Sequence, residues 1–104
     1  MDNHTLELTV QDPQGLHARP AATLVKYMTG LPDHVAVTLE KDGRVADARS
    51  IIGIMTLAAG QGAKLLVRVK STGGELDPAL VNGIFEATRA AVEFTTKRER
   101  GTIN

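Results

Sequence analysis

The 104-residue sequence contains no cysteine and no tryptophan, and it has only one tyrosine and two phenylalanines. The absence of cysteine excludes disulfides, thiolate catalysis and cysteine-ligated zinc. No apolar run approaches the roughly 20 residues that a membrane-spanning helix needs, and the polar first residues do not form a secretory signal. We therefore expect a cytoplasmic protein with an aliphatic core and no segment inserted into a membrane.

The sequence also has no net charge, because twelve basic side chains balance twelve acidic ones. No global field attracts nucleic acid or an anionic membrane, so any binding surface must be local. With 42% hydrophobic residues and no internal repeat or linker, the chain is expected to form one compact domain over residues 1–104. Residues 95–104 lose the apolar pattern and are predicted to be a polar tail.

Apolar periodicity predicts seven elements in the order β-α-β-β-α-β-α. Alternation predicts strands over residues 6–10, 35–39, 44–48 and 66–70, and Asp42-Gly43 is a hairpin-type turn. Helical spacing predicts helices up to Gly30, over 51–58 and over 78–95. Because each strand buries one face only, the helices are expected to cover one side of an antiparallel sheet.

Helix starts are marked by Ser50 and by Asp77-Pro78, which are typical N-cap and first-turn residues. The start of the first helix is less defined. Arg19 precedes Pro20 and is therefore biased away from helical backbone, so the N-cap is His17 or lies a residue or two away.

The most informative segment is residues 15–21, GLHARPA, which places a histidine and an arginine two residues apart at this predicted helix start. A helix N-terminus offers backbone N–H groups and a partial positive charge, and it therefore binds phosphate well. A neutral imidazole is a nucleophile near neutral pH, and a guanidinium pairs with phosphate oxygens through its planar fork. Taken alone, a His-x-Arg pair at a helix start favours an exposed histidine and a solvated arginine. The residues around the pair favour instead a phosphoryl acceptor at His17, with Arg19 stabilising the phosphate charge.

Residues 15–21 resemble the active-site motif of the HPr family, the histidine-containing phosphocarriers of the bacterial sugar phosphotransferase system. Residues 48–57 (ARSIIGIMTL) resemble the second signature of that family, around its regulatory serine, and residues 58–63 (AAGQGA) resemble the turn that follows it. The resemblance runs from about residue 6 to about residue 94. It implies an open-faced β-sandwich of the α+β class, with a four-stranded antiparallel sheet and three helices on one face.

The resemblance implies a function as well. His17 would accept a phosphoryl group at Nδ1 from enzyme I, which is charged by phosphoenolpyruvate, and would pass it to EIIA domains. The protein would be a monomeric reactant in a transfer chain, with no cofactor, and not an autonomous enzyme. Gly15, Pro20 and Lys26 are predicted to contribute to partner binding near the site, Gly15 because it lets a partner backbone approach closely.

Ser50 has two compatible interpretations. As an N-cap it stabilises the short helix that follows by about 1 kcal/mol. By resemblance it is also the site that HPr kinase/phosphorylase modifies in many bacteria, and the modified form would bind a transcriptional regulator. Arg49 stands where the family commonly has lysine, which keeps the positive charge.

The resemblance implies that Ile51, Ile52 and Met55 form the surface on which partners dock. Helical spacing predicts that Ile51, Ile54 and Ala58 face inward together, which leaves Ile52 and Met55 outward. Methionine suits a surface that must accept several partners. The alternative is that Ile52 and Met55 are half-buried core residues.

Two other functions remain open from the sequence. One is a regulatory binding module that acts only through phosphorylated Ser50, although the Crh-like form of such a module lacks the histidine that this chain has at position 17. The other is the same carrier chemistry in a nitrogen-related or dihydroxyacetone-kinase relay.

The spacing of His4, His17 and His34 is not that of metal ligands, so no metal site is expected. Residues 60–64 are not expected to form a phosphate-binding loop either.

Overall fold

The computed structural model describes residues 3–93, and the predicted tail at 95–104 lies outside the described residues. Seven elements occur in the predicted order: β1 (Asn3–Thr9), α1 (Ala18–Thr29), β2 (Val35–Lys41), β3 (Arg44–Asp47), α2 (Ile51–Thr56), β4 (Lys64–Ser71) and α3 (Pro78–Val92). The architecture is the predicted open-faced sandwich of the α+β class. Residues 94 and 95, the last two of the helix predicted over 78–95, also lie outside the described residues.

The sheet has the strand order β1-β4-β2-β3, and every neighbouring pair is antiparallel. Its register places apolar side chains opposite one another: Leu8 faces Leu65, and Leu39 lies between Val67 and Ala46. The alternate residues of each strand are more exposed, so only one side of the sheet is buried, as the alternation predicted.

The three helices cover that buried side. Helix α1 packs against both α2 and α3, and α3 packs against β1 and β4. The core is aliphatic, as the composition predicted, and its largest fully buried side chains include Leu24, Met28, Leu39, Ile54 and Ile84. The same packing brings the ends of α1, α2 and α3 into contact with the loops around His17.

The turn between β2 and β3 and the start of α3 have the geometry that their local sequence predicts. Asp42 and Gly43 have φ values of 52° and 85°, the left-handed pair that a two-residue hairpin turn requires. The Asp77 side chain accepts a hydrogen bond from the Ala79 N–H, and Pro78 opens α3. Both predictions are confirmed.

Helix α2 is shorter than predicted. It ends at Thr56, and Ala58 has a left-handed φ of 52°. This conformation reverses the chain before residue 58 can join the inward face of the helix. Leu57 and Ala59 are buried there instead, while Ala58 is exposed.

Candidate functional site

His17 is the N-cap of α1, with extended backbone at φ −90° and ψ −175°. Its carbonyl accepts the first helical hydrogen bond, from the Ala21 N–H at 3.1 Å. Its side chain is 24% exposed, so the imidazole is packed by the protein and also open to solvent. The structure thus selects His17 from the cap positions that the sequence left open.

Two distant parts of the chain hold the loop between β1 and α1. The Gln11 N–H donates to the Val92 carbonyl at the end of α3, at 2.8 Å. The Leu16 N–H donates to the Ala59 carbonyl beyond α2, also at 2.8 Å. The position of His17 is therefore set by the end of α3 and by the segment after α2, and not by α1 alone.

Asp12 is part of the site, and the sequence reasoning missed it. Its side chain is 3% exposed, and Oδ2 lies 3.1 Å from Nε2 of His17. The other oxygen, Oδ1, accepts a hydrogen bond from the Gln14 N–H at 2.8 Å. The signal that would have found the pair is an aspartate five residues before the histidine, where a tight turn brings the chain back.

Arg19 is exposed in the first turn of α1, two residues after His17. Its side chain lines a groove of about 280 Å³ between α1 and α3, together with Thr23, Tyr27 and small residues of α3. Lys26 is also exposed, in the last turn of α1 and more than one turn further along the helix. The predicted cations therefore lie on the helix that His17 caps, with Arg19 much nearer the site than Lys26.

Gly15 and Pro20 are buried, which corrects their prediction as partner contacts. Gly15 has a φ of 74°, and a Cβ atom there would lie 2.5 Å from the Ala59 carbonyl oxygen. Because Gly15 has no side chain, the backbone of Ala59 and Gly60 can pack directly against it. Pro20 occupies the first turn of α1 and packs with Leu24 along the groove toward α3.

Ser50 is the N-cap of α2, as predicted, and its Oγ accepts a hydrogen bond from the Gly53 N–H at 3.0 Å. Arg49 does more than keep a positive charge. Its guanidinium donates to the carbonyls of Val35 at 2.8 Å, Pro32 at 3.2 Å and Leu31 at 3.3 Å, which lie at and before the start of β2. The segment that leads into Ser50 is thereby tied to the connection that follows α1.

Helix α2 presents an apolar surface made of three side chains, which we call the α2 patch. Ile52 is 73% exposed and Met55 is 39% exposed, so the predicted outward orientation of both is confirmed and the half-buried alternative is wrong. Ile51 is 38% exposed, so its predicted inward orientation is wrong, because a six-residue helix buries only Ile54. The α2 patch consists of Ile51, Ile52 and Met55.

Within residues 3–93, no group of three His, Cys, Asp or Glu side chains is arranged to hold a metal ion. Nor does any helix in that range have the length and apolar character needed to cross a membrane. His4 lies on β1 and His34 lies just before β2, so neither belongs to the loop that holds His17.

Comparison with known proteins agrees with this geometry. The sequence profile described as the PTS HPr component phosphorylation site matches residues 4–81, three quarters of the chain. The chain belongs to the HPr family. It is 46% identical to the phosphocarrier protein HPr of Xylella fastidiosa strain Temecula1 over 63 residues, which cover 61% of this chain and 68% of that protein.

Solved HPr structures share the fold. The crystal structure of a phosphocarrier protein HPr from Bacillus anthracis strain Ames aligns with a TM-score of 0.69 and 32% identity, covering 86% of this chain and 96% of that one. The solution structure of Crh, the Bacillus subtilis catabolite repression HPr, aligns less closely, with a TM-score of 0.55, 28% identity, and coverage of 88% and 98%. The predicted family and fold are confirmed.

Proposed function

We propose that this HPr protein accepts a phosphoryl group from enzyme I on Nδ1 of His17 and transfers it to EIIA domains. The observation that supports this most directly is the placement of His17 as the N-cap of α1, with its imidazole partly open to solvent. In this position the acceptor nitrogen lies at the positive end of a helix dipole.

The chemistry suits a carrier. A phosphorus–nitrogen bond to imidazole is labile enough to form and to break, whereas a serine phosphoester is too stable for both directions. Positioning and charge stabilisation supply most of the catalysis in phosphoryl transfer. The N–H groups of the first turn of α1 orient the phosphate oxygens. Arg19 adds positive charge and can bind two phosphate oxygens at once through its guanidinium. The protein is then a reactant that is regenerated in each cycle, a monomer in the cytoplasm.

The α2 patch and Lys26 form the partner surface in this proposal. Ile52 and Met55 are large apolar side chains that remain exposed on the same layer of helices as His17. Apolar anchors of this kind provide most of the binding energy in transient complexes. Phosphorylation of Ser50 by HPr kinase/phosphorylase would place negative charge at the edge of this patch and weaken docking of acidic partners.

The test is phosphorylation of the full chain by enzyme I and phosphoenolpyruvate. We expect one phosphoryl group per chain in an acid-labile, base-stable bond. His17→Ala should abolish labelling with the fold intact, and the matched variants His4→Ala and His34→Ala should label fully. Labelling that persists in His17→Ala would contradict the proposal.

The acceptor branch is tested with the phosphorylated protein. We expect discharge to a sugar-type EIIA domain. Rapid discharge to a nitrogen-related EIIA domain or to a dihydroxyacetone-kinase subunit, with slow discharge to the sugar-type domain, would instead assign the protein to that other relay.

A further inference from the structure

We infer that Asp12 is a positioning residue that keeps the ring proton of His17 on Nε2. The inference rests on the proposed function, since it explains how the acceptor nitrogen of that function is made available. It starts from one contact, between Oδ2 of Asp12, whose side chain is 3% exposed, and Nε2 of His17, 3.1 Å away.

The hydrogen-bonding capacity of the two groups fixes the tautomer. An ionised carboxylate only accepts hydrogen bonds, so Nε2 of His17 must be the donor. A neutral imidazole has one protonated nitrogen, and its lone pair then lies on Nδ1. Asp12 is shielded from water, and in such surroundings a hydrogen bond to a charged group is weakened least. Asp12 thus selects Nδ1 as the nucleophile.

The position of the carboxylate is itself fixed. Its second oxygen accepts a hydrogen bond from the Gln14 N–H at 2.8 Å, and the Asp12 carbonyl accepts from the Gly15 N–H at 2.8 Å. The backbone N–H of Asp12 reaches the Val92 carbonyl at 3.4 Å. These contacts leave Oδ2 directed at the ring, so the imidazole is oriented by a rigid loop.

The transfer step needs no proton movement in this arrangement. The lone pair of Nδ1 attacks phosphorus, and the bond from phosphorus to the donor atom breaks with its electron pair going to the donor. The ring becomes positively charged while Nε2 keeps its proton, and that charge faces Asp12. In the onward transfer the phosphorus–nitrogen bond breaks, and its electrons return to Nδ1. The ring therefore leaves as neutral imidazole and not as the far more basic imidazolate.

Asp12→Asn is the sharpest variant, because it changes the hydrogen-bonding character with almost no change of shape. The amide has one acceptor oxygen and one donor nitrogen. If the oxygen keeps the Gln14 N–H, the amide nitrogen faces Nε2 and donates to it, which moves the ring proton to Nδ1. The nucleophilic nitrogen is then blocked, an effect known from aspartate-to-asparagine changes in catalytic triads.

Asp77→Asn is the matched control. Asp77 accepts a hydrogen bond from the N–H two residues ahead, at 3.0 Å, just as Asp12 does, but it caps α3 and belongs to no part of the site. Comparing the two variants separates the loss of a local turn contact from the loss of the contact to His17.

Two measurements decide the inference. In ¹H–¹⁵N spectra of the neutral imidazoles, we expect the Nε2–H form for His17 in the unmodified protein and the Nδ1–H form in Asp12→Asn. In transfer from saturating phosphorylated enzyme I, Asp12→Asn should be slower by more than about tenfold, with Asp77→Asn within about twofold of the unmodified protein.

The outcomes also separate this inference from the proposed function. Transfer to Asp12→Asn at the normal rate, with His17→Ala inactive, would overturn the role of Asp12 and leave the carrier function intact. An Nδ1–H tautomer in the unmodified protein would overturn it as well, even if Asp12→Asn failed to fold.

Discussion

At the scale of single residues, Gly15 shows how a motif glycine can serve the fold. Its left-handed backbone strains any L side chain, and a Cβ atom would overlap the Ala59 carbonyl oxygen at 2.5 Å and the Gly60 Cα atom at 2.9 Å. We predict that Gly15→Ala lowers the free energy of unfolding by about 2–4 kcal/mol, measured by urea denaturation.

Gly62→Ala is the control for that prediction. Gly62 has a similar φ of 89°, but a Cβ atom there would meet nothing within 4 Å. Its substitution should cost only the backbone strain, about 1 kcal/mol. Equal losses of unfolding free energy in the two variants would show that the overlap of the new methyl group with Ala59 and Gly60 costs nothing.

Residue types and their spacing placed His17 at or near the start of α1 but left its cap position open and did not reveal what holds it. The contact from Asp12 depends on the path of a loop that is anchored at Val92 and Ala59, both more than forty residues away in sequence. The three carbonyl contacts of Arg49 are similar, because they span 14 to 18 residues. Apolar periodicity contains no information about such contacts.

At the scale of elements, α2 is a short helix that depends on its cap. Six residues form too few hydrogen bonds to be stable alone, and Gly53 within the helix lowers its propensity further. The glycine also leaves room for the cap, because a Cβ atom at residue 53 would lie only 3.2 Å from Oγ of Ser50. The cap and the glycine therefore fit together.

We predict that Ser50→Ala lowers the free energy of unfolding by about 1 kcal/mol, because the Gly53 N–H loses its acceptor. Ser50→Asp should stay within about 0.5 kcal/mol of the unmodified protein, since aspartate caps as well as serine and its charge is favourable at a helix N-terminus. Urea denaturation of both variants is the measurement. A fully stable Ser50→Ala would show that the hydroxyl is not needed as a cap.

Elements with strong local signals were predicted well, and the ends of elements less well. The hairpin at Asp42-Gly43 and the caps at Ser50 and Asp77 depend on residues adjacent in sequence, so local chemistry is sufficient. The early end of α2 depends on the left-handed backbone conformation of Ala58. An alanine in the sequence does not predict this conformation, because alanine rarely adopts it.

At the scale of the whole molecule, the two sides of the sheet have different characters. The open side is largely polar and carries the ion pair between Arg68 and Glu40 at 2.9 Å. Val45 lies next to it, paired with Glu40 on the edge strand and 61% exposed. The helical side carries His17 and the α2 patch. The molecule thus has exposed apolar side chains on both faces but has His17 on the helical side only, and this difference allows docking to be tested.

We predict that Ile52→Ala and Met55→Ala each raise the enzyme I concentration needed for half-maximal transfer, by about tenfold for Ile52, without lowering the maximal rate. Ser50→Asp should have the same effect, because it sets a negative charge beside the patch without disturbing the cap. Val45→Ala removes an exposed apolar side chain from the opposite face, so it should transfer normally. Transfer rates measured against enzyme I concentration distinguish the two faces. If Val45→Ala weakened transfer as much as Ile52→Ala, the partner would not dock on α2. The same conclusion would follow if neither substitution weakened transfer.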